Sequence, residues 1–412
     1  MTQNSPSLAS GNEGTVRDQI GNYFARLRGG EMGSLPAVAG IVILTIVFQI
    51  ASPFFITKLN FANLFQQSAE LIMLSSALVF VILIGEIDLS AGVTGGVSMA
   101  VFIDLIQNFN WPWIPALVVG FIVGMSIGFI IGMMVAKIGV PSFVVSLAFF
   151  LGFQGLQLVL LGNGAVARLQ TSALLAILNN SLPNWAGWLI LVVCISYALS
   201  LNLWDRARRA KTGLDNKPFM LTVIRLGGVT IFGAVSVYFL NQDRSQGSIP
   251  ITGVPIVIPF VIVILAIGTF VLDRTRFGRH LYAVGGNPEA ARRAGIAVVR
   301  IRVISFMICG FGAVISGIFY ASRVGDIDST MGHTIVLSGV AAAVVGGVSL
   351  FGGRGRLAHA AIGAIVITMI DNGLGLLQMP AGISYLVQGG VLLFAATIDA
   401  LARRRNGVVS RN

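Results

Sequence analysis

Twelve runs of mostly apolar residues, each near 20 residues long, follow one another along the 412-residue chain, separated by short polar or glycine-rich breaks. A helix of that length crosses roughly 30 Å of hydrocarbon at about 1.5 Å per residue. The runs extend over Leu35 to Phe55, Phe61 to Ile84, Gly92 to Phe109, Trp113 to Ala136, Ser142 to Leu161, Trp185 to Trp204, Phe219 to Leu240, Pro255 to Leu272, Val303 to Tyr320, Ile335 to Phe351, Ala358 to Leu377 and Ser384 to Leu401. They predict an all-α integral membrane protein with about 12 transmembrane helices over 35–401, a polar N-terminal segment over 1–34 and a basic tail over 402–412.

Composition agrees, because only 10% of the residues are charged, too few to coat the surface of a soluble globule. The fifty glycines follow no collagen period, and small residues suit helices whose backbones approach closely in lipid. A net charge of +11 would suggest nucleic acid, but the basic residues sit in short loops between apolar runs, where lipid headgroups are the better partner. Cys194 and Cys309 lie inside apolar runs and read as small buried hydrophobes. Segment 1–34 lacks the apolar core of a cleavable signal, so the first span is expected to serve as its own insertion signal.

Lysine and arginine resist translocation and therefore set orientation. With a cytoplasmic N-terminus, 22 of the 27 basic residues fall on the cytoplasmic side, four (Lys58, Arg168, Arg244 and Arg323) fall outside, and Arg225 lies within a span. Both termini are thus expected in the cytoplasm. No loop is long enough for a catalytic domain, and the phosphate-cradling pattern GxxxxGK[ST] is missing because no Gly-Lys pair occurs. The chain is not expected to be an enzyme, to hydrolyse ATP itself or to bind a cofactor. His280, His333 and His359 show no metal-ligand spacing, so no metal site is expected.

Polar residues at membrane depth are costly and mark function or interhelical bonding. Gln66, Glu70, Asp104, Asp371 and Asn372 fall in the spans and are candidates for lining a translocation path or bonding between helices. Glu86, Asp88 and Ser90 occupy a glycine-bounded break, where Asp88 or Ser90 would cap the next helix or the group would form a gate. Gly120, Gly124, Gly128 and Gly132 repeat every fourth residue and give one helix a smooth packing face.

The most informative loop runs from Asp273 to Arg302. Asn287 suits an N-cap, Pro288 the first helical position, Glu289 the positive end of the helix dipole and Gly295 a stop. These signals predict a short, exposed helix with Ala290, Ala291 and Ala294 as small contact residues, a form suited to docking in a groove of a cytoplasmic partner.

Three segments carry a family resemblance: Gly85-Glu86-Ile87-Asp88-Leu89-Ser90-x-Gly92, the run from Thr275-Arg276-Phe277-Gly278-Arg279 through Gly285-Gly286-Asn287 to Glu289-Ala290-Ala291 and Gly295-Ile296, and Gly346-Gly347-x-Ser349-Leu350-x-Gly352-Gly353. With them the chain resembles, from about Phe61 to Asp399, the permease subunits of monosaccharide importers of the ATP-binding-cassette class, the carbohydrate uptake transporter 2 group with ribose and xylose permeases. The resemblance implies a type II importer permease fold in the bacterial inner membrane and a homodimer of two permease copies. It also implies a cytoplasmic ATP-binding subunit and a periplasmic sugar-binding protein. Asn287, Pro288, Glu289, Ala290, Ala291 and Gly295 would then form the helix that couples to the ATPase. Ribose-type members have ten spans, and the extra pair here, about 185–240 around Arg206 to Lys211, looks like xylose permease. The chain departs from the family at Val336-Leu337-Ser338, where an acidic-Leu-Asp stretch is usual. The rival readings are an ion-coupled secondary transporter using Glu70, Asp104 or Asp371, and a scaffolding membrane subunit.

Overall fold

A computed structural model describes residues 35–162, 166–212, 219–245 and 247–405, so segment 1–34 and most of the basic tail lie outside the described residues. Each predicted run holds one helix: α1 Leu35–Ala51, α2 Lys58–Ile82, α3 Ala91–Gln107, α4 Trp113–Met133 and α5 Ser142–Leu161, then, past a short α6 Ser172–Asn179, α7 Asn184–Lys211 and α8 Phe219–Asn241. The second half continues with α9 Val257–Arg274, two short helices α10 Arg276–Gly286 and α11 Pro288–Arg293, and α12 Val298–Val324, α13 Ile335–Gly346, α14 Leu357–Leu376 and α15 Ala381–Arg405. Among the described residues nine helices are long and apolar enough to cross a membrane, while α1, α3 and α13 are shorter apolar helices.

The centre is built on α2 and α12. Most of the apolar length of α2 is covered by other helices, and α12 lies against it and against α3 and α4. Contact there is backbone to backbone. A Cβ on Gly124 would fall 2.9 Å from the Gly310 carbonyl of α12, and one on Gly132 would fall 2.8 Å from the Val303 Cα. Gly128 and Gly310 leave no room for a Cβ at all. Lipid gives helices no hydrophobic reason to associate, so this approach gains dispersion and Cα–H contacts that larger residues would forbid. The pair α7–α8 is peripheral, joined to the body by Val237, Leu240 and Val254 packing with Ala62, and by the Phe61–Phe239 ring contact at 5.6 Å.

Three boundaries differ from the sequence reading. Helix α7 runs on through Arg206 to Lys211, expected as loop, because arginine, alanine and lysine are strong helix formers and their charge suits a C-terminus. The arginine-rich lead-in after Asp273 is itself helical: Thr275 caps α10 by accepting from the Gly278 N–H at 3.2 Å, and Leu281 and Val284 turn inward. The run from Ile335 to Phe351 is helical for only 12 residues and ends at Gly347, whose φ of +104° ends the helix.

That last helix spans about 18 Å, short of the hydrocarbon thickness. The chain that leads into it is unwound. After α12 the chain forms β2 Asp326–Asp328, antiparallel to β1 Val166–Arg168, and then descends without helix to Gly332, which packs against Gly92 at the start of α3 with no room for a Cβ on either.

The loops fall into two groups. Those assigned by charge to the cytoplasm meet at one end, with Glu86 near Arg302, Asp205 near Arg274, and the Tyr282 hydroxyl donating to the Gly355 carbonyl at 2.8 Å. Those assigned outside meet at the other, where β1 pairs with β2 and Arg244 donates to the Ser181 hydroxyl at 2.6 Å.

Candidate functional site

At the basic end, α11 forms as its residues dictate. Asn287 Oδ1 accepts from the Ala290 N–H at 2.9 Å, Pro288 opens the helix, Glu289 lies in the first turn, and Gly295 sits at φ +81° just past its end. Glu289, Ala290, Arg292, Arg293 and Ala294 are exposed. Ala291 is buried within the chain, so the outward small surface is Ala290 with Ala294, and Ala291 anchors the helix.

Beneath α11 the three sequence motifs become one piece of structure. Gly353 N–H donates to the Leu83 carbonyl at 2.8 Å. A Cβ on Gly352 would fall 2.8 Å from the Gly85 nitrogen and 2.9 Å from the Gly285 carbonyl, and one on Gly285 would fall 2.7 Å from the Gly353 nitrogen. The end of α2, the end of α10 and the loop between α13 and α14 are thus interlocked through backbone alone. The two helices of this knot lead into α11 on one side and into the buried centre on the other. Tyr282 fastens it further: burial, reinforced by the Asp273 charge, pushes its phenol up to about 12, so the hydroxyl stays protonated and donates to Gly355.

The Glu86–Ser90 break is pinned. Glu86 pairs with Arg302 of α12 at 3.3 Å. Asp88 is buried and accepts from the Ser90 N–H at 2.9 Å, from the Ser90 hydroxyl at 2.6 Å and from the Cys309 thiol of α12. Its carboxylate therefore fixes the turn before α3, while Ser90 makes no side-chain cap.

The polar residues of the spans do not form one constellation. Glu70 is buried and pairs with Arg323 at 3.1 Å, joining α2 to α12. Gln66 donates to the Leu178 carbonyl at the end of α6. Asn372 joins α14 to α2 through Asn60 at 2.8 and 2.9 Å and Gln67 at 3.2 Å. Asp104 accepts from Asn108 on its own helix end at 2.6 Å. Asp371 is exposed in the single chain and accepts from Gln388 at 2.6 Å, whose own oxygen accepts from Ser338 at 2.8 Å, linking α14, α15 and α13.

The unwound stretch before α13 adds polar groups that sequence reading passed over. Asp328 accepts from the Thr330 N–H and hydroxyl and from the Tyr320 hydroxyl, and His333 lies beside the Phe150 ring. Gln157, fully buried, donates to the Val93 carbonyl at 3.2 Å while its oxygen has no partner. The one available signal was Gly332 followed by His333 and Thr334, glycine and polar residues leading into a predicted span. Broken helices at membrane depth are where transporters place polar paths.

A multi-pass helical bundle with a capped, exposed helix tied to its interior has the form of a membrane transport subunit. The match over residues 60–396 to the family described as branched-chain amino acid transport system / permease component places the chain in that permease family, whose members transport rather than catalyse. Among curated relatives it is 32% identical to the xylose transport system permease protein XylH of Escherichia coli, over 93% of this chain and 95% of that one. It is 30% identical to the ribose import permease protein RbsC of Bacillus subtilis over 90% and 94% of the two chains. The D-allose transport system permease protein AlsC of Escherichia coli is 26% identical over 88% and 90%. No solved structure matches the chain.

Proposed function

We propose that this chain is the membrane-spanning subunit of an ATP-driven importer that carries a monosaccharide inward, with xylose or a close relative as the substrate. The observation that carries the reading is α11: an exposed, capped helix whose buried Ala291 and glycine knot connect it to the centre of the bundle. Similarity to xylose, ribose and allose permeases supports the sugar.

In this reading twelve crossings leave both termini in the cytoplasm, and two copies of the chain enclose the path. A periplasmic sugar-binding protein delivers substrate, and a separate cytoplasmic subunit binds the ATP, so this chain needs no cofactor. Asn287, Pro288, Glu289, Ala290, Ala291 and Gly295 receive the stroke of that subunit. Glu86, Asp88 and Ser90, pinned to α12, pass it to α3 and gate the path, while Asp371, Gln388 and Ser338 offer hydroxyl-bonding groups on the exposed face of α13–α15. The ion-coupled reading loses support at two of its three residues, since Glu70 is paired with Arg323 and Asp104 is engaged on its own helix, which leaves Asp371.

The test is uptake of labelled xylose into sealed vesicles containing the chain with its ATP-binding subunit and a sugar-binding protein. Uptake is expected to require ATP and all three proteins. Uptake that persists without the ATP-binding subunit and follows a proton gradient would rule the importer reading out.

A further inference from the structure

A cavity of about 960 Å³ opens at the basic end between α1, α14 and α15, outside the interlocked centre. Its lining on α14 is His359, Val366 and Ile370, the first and last eleven positions apart, or about 16 Å along the helix axis. That depth equals about half of the roughly 30 Å hydrocarbon core, one leaflet. The deep walls are apolar: Leu44 of α1, Val366 and Ile370 of α14, and Val391 and Phe394 of α15. The mouth at the basic end is polar, with Arg354 and Arg356 exposed on one loop and Asp273, Tyr282 and His359 around them. Helix α1 itself presents Ile46, Val47 and Ile50 outward, as helices do that face lipid.

We propose that this cavity holds an anionic phospholipid of the leaflet at the basic end, its acyl chain along α14 and its phosphate at Arg354 and Arg356. The match is one of length and charge together: apolar walls one leaflet deep, closed at the headgroup level by two arginines against one carboxylate, Asp273. Arg354 and Arg356 belong to the loop that supplies Gly352 and Gly353 to the knot, and Tyr282 joins the same loop at Gly355. A lipid seated there braces the platform under α11, so transport becomes sensitive to headgroup charge. The binding claim stands without the importer reading; only its consequence for transport rests on it.

The occupant is read by placing photo-reactive benzoylphenylalanine at Gly40, where a Cβ meets only Val366 at 4.0 Å. The full chain is reconstituted in phosphatidylcholine vesicles with or without phosphatidylglycerol and irradiated, and adducts are identified by mass. Phosphatidylglycerol adducts are expected in excess over its share of the bilayer. The excess should fall roughly 5-fold for each of Arg354→Gln and Arg356→Gln, return with lysine at either position, and resist added inorganic phosphate. The proposal is overturned by adducts to residues 1–34 or to a second copy, by equal labelling from both lipids, by no adduct, or by displacement with inorganic phosphate. Lysine variants that elute as folded protein keep the arginine arm meaningful if the glutamine variants do not fold. Loss of lipid-dependent uptake with adducts intact would remove the link to transport and leave the binding site.

Discussion

The centre of the bundle and its added helix pair are made of similarly apolar sequence but held in opposite ways. In α2, 83% of the apolar window is buried, against 11% in α7, although α7 has the higher mean hydropathy. The difference shows that hydropathy reports the solvent, while glycine and paired polar residues report which helices touch. The centre is locked by backbone contacts at Gly128 and Gly310 and by the Glu70–Arg323 pair. The periphery is largely exposed and is tied to the basic end by the bidentate Arg274–Asp205 pair at 2.7 and 2.8 Å, with Arg208 and Arg274 both against the Trp204 ring.

The sharpest way to break this contrast is to add bulk to a glycine in each region. Gly128→Leu forces side-chain atoms into the backbone of α12 and is expected to cost about 3 kcal/mol, seen as loss of monodisperse protein in detergent. Gly228→Ala in α8, where a Cβ meets nothing within 4 Å, should change thermal stability by less than about 0.5 kcal/mol. Equal effects would dissolve the distinction. Next in size, Arg323→Gln leaves the buried Glu70 carboxylate unpaired and is expected to cost about 2–4 kcal/mol. Because Arg323 is 39% exposed, part of that loss is relieved by solvent, and the double variant with Glu70→Gln should recover more than half in a thermal-unfolding cycle. Asn287→Ala removes the cap of α11 and should cost about 1 kcal/mol locally. Its signature is reduced ATP-driven uptake at unchanged melting temperature. Asp205→Asn should be the mildest, about 0.2–1 kcal/mol, since the pair is half open to solvent. A large drop there would mean the added pair is structurally integral.

Much of this was legible in sequence because membrane solvent leaves a strong mark. All twelve apolar runs contain a helix, and α11 carries its cap, its proline and its stop in plain order. The α4 glycines face α3 and α12, a direction that an i, i+4 pattern fixes only up to the identity of the partner helix. What escaped was long-range or depended on the absence of a side chain. Gly85, Gly285 and Gly352 belong to separate motifs, and nothing local shows that they meet. The inward turn of Ala291 follows from how α11 docks on α12, which periodicity over six residues cannot encode. Glu70 and Arg323 lie 253 positions apart, so the charge count recorded Arg323 only as an external loop residue. The shortness of α13 escaped because Val348 to Phe351 keep the run mostly apolar after the helix has ended; only Gly347 betrayed the end.

The central claim is that α11 receives the stroke and the glycine knot transmits it. Ala290→Glu tests it most directly, because Ala290 is exposed and its replacement is expected to leave the fold intact. Co-purification of the ATP-binding subunit and ATP-driven xylose uptake are measured together in this variant. Loss of both, with an unchanged melting temperature, is the expected result. Retention of both would show that the ATP-binding subunit docks elsewhere and that α11 is only a connector.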